Sequence, residues 1–289
     1  MDLLLLYGLP VVYVLFLWWF STGVILWLNR RSDAVRRWSM ILTTGIAGIA
    51  GYAVYKGATD TGVSGAYHAF TAALVIWGWI EMSFVMGYVT GPRKTACPKT
   101  ARGWSRAWFA FEAIAYHELA LVVALGVISV LSTDAPNQMA FWTFGVLWLM
   151  RLSAKLNIFL GVPNFTDEFL PSRLVYLTTY FRVRQMNGLF PITVSLSTAA
   201  AVWLGIEAAA PGVTAFEASG LAFLTTLLAL AVLEHWFMVL PLRDAALWQW
   251  ALGASQHSGT HTKIDTPRTK PVTEPAFKAV RPASVPGST

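Results

Sequence analysis

The feature that most restricts the fold of this chain is a run of 26 residues, 3–28, without a charged side chain. A helix of this length crosses a hydrocarbon core of about 30 Å even when it is tilted. The run does not read as a signal peptide, because Asp2 precedes it, it is too long, and no small-residue cleavage site follows. Basic residues come only after the run, at Arg30 and Arg31, so it is predicted to remain as an anchor with its N-terminus outside.

The composition extends this prediction to most of the chain. Apolar residues make up 56% and charged residues 12%, with 14 Trp and 17 Phe, whereas a soluble domain has about a quarter of its residues charged. The single cysteine, Cys97, excludes a disulfide framework and multi-cysteine metal sites. Apolar stretches recur at 3–28, 39–55, 66–90, 107–131, 138–160, 186–206 and 217–240. The sequence therefore predicts an all-α, polytopic integral membrane protein, with a domain of about seven transmembrane helices over 1–252.

The tail, residues 253–289, is rich in Ser, Thr, Pro and Lys and is predicted to be disordered. Segment 166–185 is too polar to span a bilayer. The apolar residues of this segment are near helical spacing, which predicts an amphipathic helix on the membrane surface. These residues are Phe169, Leu170, Leu174, Leu177 and Phe181.

The basic residues outside the spans are strongly sided. Loops 29–38, 91–106 and 161–185, together with everything after 240, carry 18 Lys and Arg, whereas loops 56–65, 132–137 and 207–216 carry only Lys56. This asymmetry predicts an outer N-terminus and a cytoplasmic C-terminus. It also argues against nucleic-acid binding, because the basic residues form a rim along the membrane rather than one stripe.

Ionisable and amide side chains inside the predicted spans are the main candidates for function, because they are costly in a bilayer. Counted from the cytoplasmic ends of the spans, their depths fall in one slab between the cytoplasmic boundary and the mid-plane. A single intramembrane polar centre is therefore expected. Its candidate members are Glu81, Glu112, His117, Glu118, Arg151, Lys155, Asn157, Glu234 and His235.

Four interpretations of this centre remain open from the residues alone. It is an ion-pair network that fixes helix register, a metal site, a haem or chlorin site, or a proton or substrate path. The candidate metal ligands are His117, Glu118, Glu234 and His235, although none shows the Glu-x-x-His spacing of di-iron bundles. For a haem iron or a chlorin magnesium, the candidate axial ligands are His117 and His235.

Several strings, in this order and spacing, resemble the PuhE family of photosynthetic complex assembly proteins from anoxygenic phototrophic bacteria. They are WWFSTG at 18–23, AYHELAL at 115–121, RLSAKLNIFLGVPNF at 151–165, DEFLPSRLVYL at 167–177 and LEHWFMVLPLRDAALWQWAL at 233–252. The resemblance covers most of residues 10–252. It implies a multi-pass protein of the bacterial photosynthetic membrane that supports reaction-centre and light-harvesting assembly and bacteriochlorophyll supply, without an established catalytic activity.

The expected partners are membrane lipid, reaction-centre or light-harvesting subunits and proteins of bacteriochlorophyll synthesis. The alternative is an integral-membrane oxidoreductase, dependent on a metal or haem, that acts on a pigment or lipid precursor. Bacteriochlorin, haem and iron are accordingly the cofactors to consider.

Overall fold

The structure, a computed structural model, describes residues 3–165, 170–241 and 244–252. The predicted disordered tail, 253–289, lies outside the described residues, as does Phe169 of the predicted surface helix. Within the described ranges the chain is helical and contains no strand.

Among the residues that the structure describes, seven helices are long and apolar enough to cross a membrane, which confirms the predicted fold class. A short π-helical turn, Leu4–Gly8, leads into the first of them. The seven helices are α1 Leu9–Asn29, α2 Asp33–Gly57, α3 Val63–Val85, α4 Gly103–Leu131, α5 Met139–Leu160, α6 Leu189–Ala208 and α7 Ala215–Phe237. A 3-10 helix, Ser172–Tyr180, lies in the segment between α5 and α6, and a second one, Asp244–Trp248, precedes the short α8, Gln249–Leu252.

One difference from the predicted spans is the end of the third, which is expected near residue 90. Helix α3 ends at Val85 because the carbonyl of Ser83 accepts hydrogen bonds from the amides of Tyr88 and Val89, which turns the chain. Gly87 sits in this turn at φ +79°, a conformation that favours glycine.

Helices α3 and α7 form the centre of the bundle. In the most apolar 18-residue stretch of each helix, 50% of the residues of α3 and 56% of those of α7 are buried, against 11–22% for the other five helices. Phe70 of α3 and Phe223 of α7 stack with ring centroids 4.6 Å apart, and both are fully buried. Phe144 of α5 is also fully buried and packs edge-on against Trp77. These rings fill the half of the bundle away from the charged side chains of the predicted centre.

The two ends of the bundle are closed differently. At one end the Asn137 amide donates to the carbonyls of Gly57, Asp60 and Gly65, which ties the α2–α3 turn to the start of α5. At the other end Arg173 donates to the Asn29 side chain. We call this second end the basic end. Loops 30–32 and 86–102 and segments 161–165 and 170–188 lie there.

The C-terminal segment 244–252 packs on α1. The Trp248 indole donates to the carbonyl of Trp19 at 2.9 Å, and the Trp19 indole donates to the carbonyl of Leu247 at the same distance. Gly23 lets the Trp250 ring approach, because a Cβ at this position would collide with it. Two reciprocal indole–carbonyl hydrogen bonds therefore join α1 to segment 244–252.

Candidate functional site

Three of the predicted centre residues meet between α3, α4 and α5. Arg151 Nη2 lies 3.3 Å from Glu81 Oε2, and His117 Nε2 lies 3.6 Å from Glu81 Oε1. His117 is fully buried and Glu81 is 8% exposed, whereas the Arg151 side chain keeps 44% of its surface exposed. The carboxylate of α3 thus pairs with Arg151 of α5 through Oε2, and its Oε1 lies beside the α4 imidazole without a hydrogen bond.

A second ion pair lies beside the first. Lys155 Nζ is 2.5 Å from Glu118 Oε1, and both side chains are largely buried (20% and 12% exposed). Lys155 follows Arg151 by four residues on α5, so the two cations share one face of that helix. Each cation meets a different helix, α3 for Arg151 and α4 for Lys155. The four charges therefore set the positions of α3 and α4 against α5.

His117 is held by packing rather than by hydrogen bonds of its ring. Neither ring nitrogen has a hydrogen-bond partner among the residues that the structure describes, and 3.6 Å to Glu81 is beyond a hydrogen bond. The Phe84 ring lies 4.4 Å from the imidazole, centroid to centroid. The His117 backbone amide donates to the carbonyl of Thr90 at 2.9 Å. The loop after α3 therefore reaches the α4 backbone directly below the imidazole.

The other predicted histidine, His235, belongs to a separate buried polar chain. Its Nδ1 lies 2.7 Å from the Ala231 carbonyl, which can only accept, so Nδ1 carries the proton and Nε2 accepts from the Ser153 hydroxyl at 2.9 Å. The Asn157 amide donates to the carbonyl of Ser153, and Asn187 Nδ2 donates to Asn157 Oδ1 at 3.0 Å. Both nitrogens of His235 are thus engaged in hydrogen bonds.

Two predicted members lie apart from these groups. Glu112 accepts a hydrogen bond from the Trp108 indole at 2.8 Å and lies 3.9 Å from Arg93 of the α3–α4 loop. Glu234 accepts from the Trp18 indole of α1 at 2.6 Å. The predicted single centre is therefore two adjoining buried groups with Glu234 beside them and Glu112 at the loop.

Depth counted from helix ends did not locate these contacts well, because the helices are staggered. Glu81 lies four residues before the end of α3, about 6 Å, whereas Arg151 lies nine residues before the end of α5, about 13 Å. The two side chains nevertheless meet. The loops at the basic end fill the space below the end of α3.

Sequence reasoning missed Ser153 and Asn187, which complete the His235 chain. Ser153 had a usable signal, since it precedes Asn157 by four residues and thus shares its helix face. Asn187 had another signal, since an Asn two residues before an apolar run is typical of a helix cap. In the structure its Oδ1 accepts hydrogen bonds from the amides of Leu189 and Phe190 and so caps α6.

The geometry favours charge pairing over metal binding. In the described part of the chain no three His, Cys, Asp or Glu side chains converge closely enough to hold a metal ion. The centre does offer one buried imidazole with both nitrogens unbonded, next to a carboxylate. Such a pair can hold one further ligand atom.

Comparison with known proteins identifies relatives. A family profile described as "Protein of unknown function (DUF3623)" matches residues 4–259. A protein of Rhodobacter capsulatus, named "Uncharacterized 30.4 kDa protein in puhA 5'region", is 40% identical over 272 residues, which cover 92% of this chain and 98% of the relative. No solved structure matches the chain. With the profile spanning all seven membrane helices, the chain belongs to the DUF3623 family.

Proposed function

We propose that this protein is an assembly factor of the bacterial photosynthetic membrane, which supports formation of reaction-centre and light-harvesting complexes and the supply of bacteriochlorophyll to them. The observation that carries the proposal is the name of the Rhodobacter capsulatus relative, which places its gene in the puhA 5' region, a photosynthesis gene context. The resemblance of the quoted strings to the PuhE family supports the same role. The N-terminus is proposed to lie in the periplasm and the C-terminus in the cytoplasm.

The surface of the bundle supports a role through contacts within the membrane. Large apolar side chains are exposed along the outer helices, among them Val130 of α4 (74%) and Leu196 and Trp203 of α6 (67% and 60%). Such faces are solvated by lipid or covered by helices of a partner. The charges of the centre pair with each other inside the bundle. The proposed partners are therefore lipid and the membrane helices of photosynthetic subunits or of pigment-synthesis proteins.

The alternative is a metal- or haem-dependent oxidoreductase that acts on a pigment or lipid precursor. One observation favours it: the fully buried His117 imidazole has no hydrogen bond to a described residue at either nitrogen. An imidazole whose two nitrogens have no hydrogen bond is a suitable axial ligand, and Glu81 at 3.6 Å could orient its second nitrogen.

Gene replacement in Rhodobacter capsulatus separates the two functions. The gene of the 40% identical relative is deleted, and this chain is expressed in its place. An assembly factor predicts that the deletion lowers reaction-centre and antenna absorbance per cell without a new pigment, and that this chain restores it. An oxidoreductase predicts that a pigment or lipid precursor accumulates. Unchanged complexes and unchanged pigments would contradict both functions.

The centre is tested in the same strain by changing His117→Ala together with Glu118→Gln. If the centre is only structural, the variant supports full pigment–protein levels once its amount in the membrane is matched. If the centre binds a pigment or performs chemistry, the variant is present in the membrane but inactive. His68→Ala is the matched control, because His68 is an exposed histidine near the opposite end of α3.

A further inference from the structure

Two arginines flank a short parallel bridge between Val162 and Val183, just after the end of α5. The Val162 amide donates to the carbonyl of Arg182 at 3.2 Å, and the Arg184 amide donates to the carbonyl of Val162 at 3.3 Å. Because side chains alternate along an extended chain, Arg182 and Arg184 project from one side and Val183 from the other. The bridge therefore places both arginine side chains on one side of the segment.

Gly161, the residue after α5, makes room for the stem of Arg184. A Cβ at Gly161 would lie 2.8 Å from both Cγ and Cδ of Arg184. The aliphatic part of this side chain therefore packs on the backbone at the α5 end, although Arg184 as a whole is exposed. Arg182 is half-buried, and neither guanidinium donates to a residue in the described ranges. The N–H donors of both groups are therefore available to another molecule.

A third arginine, Arg106 of α4, adds to the positive charge at this helix end. It is buried, and its guanidinium donates to the carbonyls of Phe159 and Tyr180. None of the three arginines forms an ion pair with an acidic residue in the described ranges. The C-terminus of α5 supplies only about half a negative charge. Among the described groups the α5 end therefore has an excess of positive charge, which attracts an anion.

An exposed apolar stripe of α5 ends next to these arginines. It consists of Leu149, Leu156 and Leu160, which are 60%, 44% and 36% exposed. The three leucines share one helix face, because their spacings of seven and four residues are close to two turns and one turn. From Leu149 to Leu160 the stripe is about 16 Å long, close to half of a hydrocarbon core of about 30 Å. Leu160 directly precedes Gly161, so the stripe reaches the residue on which Arg184 packs.

We propose that Arg182 and Arg184 bind the phosphate of an anionic phospholipid, whose acyl chains lie along the leucine stripe of α5. Guanidinium groups donate paired hydrogen bonds to phosphate oxygens. An anionic phospholipid matches both parts of this surface, since its head is negative and its chains have the length of one leaflet. A zwitterionic lipid carries a cationic group that the arginines repel. The lipid site goes beyond the proposed assembly role and does not require it.

The test is native mass spectrometry of the purified full-length protein, which counts the lipids that stay bound to each chain. Phosphatidylglycerol and phosphatidylcholine with the same acyl chains are titrated in parallel, and phosphatidylglycerol should bind about tenfold more tightly. Arg182→Gln with Arg184→Gln should lower its binding to the level of phosphatidylcholine. Arg37→Gln with Lys94→Gln is the matched control, because it removes two exposed positive charges at the same end and should leave the preference unchanged.

The single variants Arg182→Gln and Arg184→Gln are measured as well, so that the test does not depend on folding of the double variant. Each should weaken phosphatidylglycerol binding by about threefold. Glycerophosphoglycerol, the headgroup without acyl chains, should not compete, because it cannot use the apolar stripe. Equal binding of the two lipids, an unchanged preference in the arginine variants, the same loss in the control variant, or competition by glycerophosphoglycerol would overturn the proposal.

Discussion

Asn187 shows how much of the basic end depends on one side chain. Its amide donates to both oxygens of Asn157, the backbone carbonyl and Oδ1, and to the carbonyl of Gly161, while its Oδ1 accepts two amides at the start of α6. Helix α5 ends next to it, where Gly161 adopts φ +126°. One buried side chain thus joins the end of α5 to the start of α6.

Asn187→Ala is expected to lower the free energy of unfolding by about 2–3 kcal/mol, because the change leaves buried donors and acceptors without partners. The measurement is thermal unfolding in mild detergent. Ser39→Ala is the control, since Ser39 donates only to a carbonyl of its own exposed helix face, and a change within about 0.5 kcal/mol is expected. A loss no larger than that of the control would contradict the role given to Asn187.

The Glu118–Lys155 pair gives a second residue-scale prediction. Lys155→Met leaves a largely buried carboxylate unpaired and is expected to cost about 3–5 kcal/mol, whereas Lys155→Met with Glu118→Leu should recover most of that loss. A double-mutant cycle of unfolding free energies measures both. If the double variant is less stable than Lys155→Met alone, Glu118 contributes something other than this pair.

At the scale of elements, the α3–α4 loop is fixed by its approach to the α4 backbone. A Cβ on Gly91 would collide with the carbonyls of Glu112 and Ala113. Gly91→Ala should therefore destabilise the fold by about 1–3 kcal/mol through overpacking. Gly48→Ala in α2 is the matched control, because a Cβ there meets nothing within 4 Å, and it should be neutral or stabilise by up to about 1 kcal/mol. Equal effects in thermal unfolding would refute the tight loop contact.

The membrane helices could be predicted from the sequence because each one needs an apolar stretch long enough to cross a bilayer. The end of α3 could not, since residues up to Val89 remain apolar and a turn at Gly87 decides the boundary. The site was predicted in the same partial way. Costly charges marked Glu81, Glu118, Arg151 and Lys155, but which cation meets which carboxylate depends on helix stagger. The sequence pattern does not indicate how far neighbouring helices are shifted along their axes.

For the whole molecule, the loop charges predict the orientation in the membrane. Alkaline phosphatase fused after residue 210 should be active, because that loop is predicted to be periplasmic, and green fluorescent protein fused after residue 252 should fluoresce in the cytoplasm. Both fusions are measured in a bacterial host at matched expression. The reverse pattern would contradict the predicted outer N-terminus.

The central claim is that the buried centre is held together by its own ion pairs. The most direct test is the absorption spectrum from about 350 to 900 nm and the metal content per chain, on one sample purified in mild detergent from phototrophically grown cells. The account predicts folded protein without a stoichiometric pigment or metal. A stoichiometric chlorin or haem band, or about one to two irons per chain, would contradict it and make the site around His117 a cofactor site.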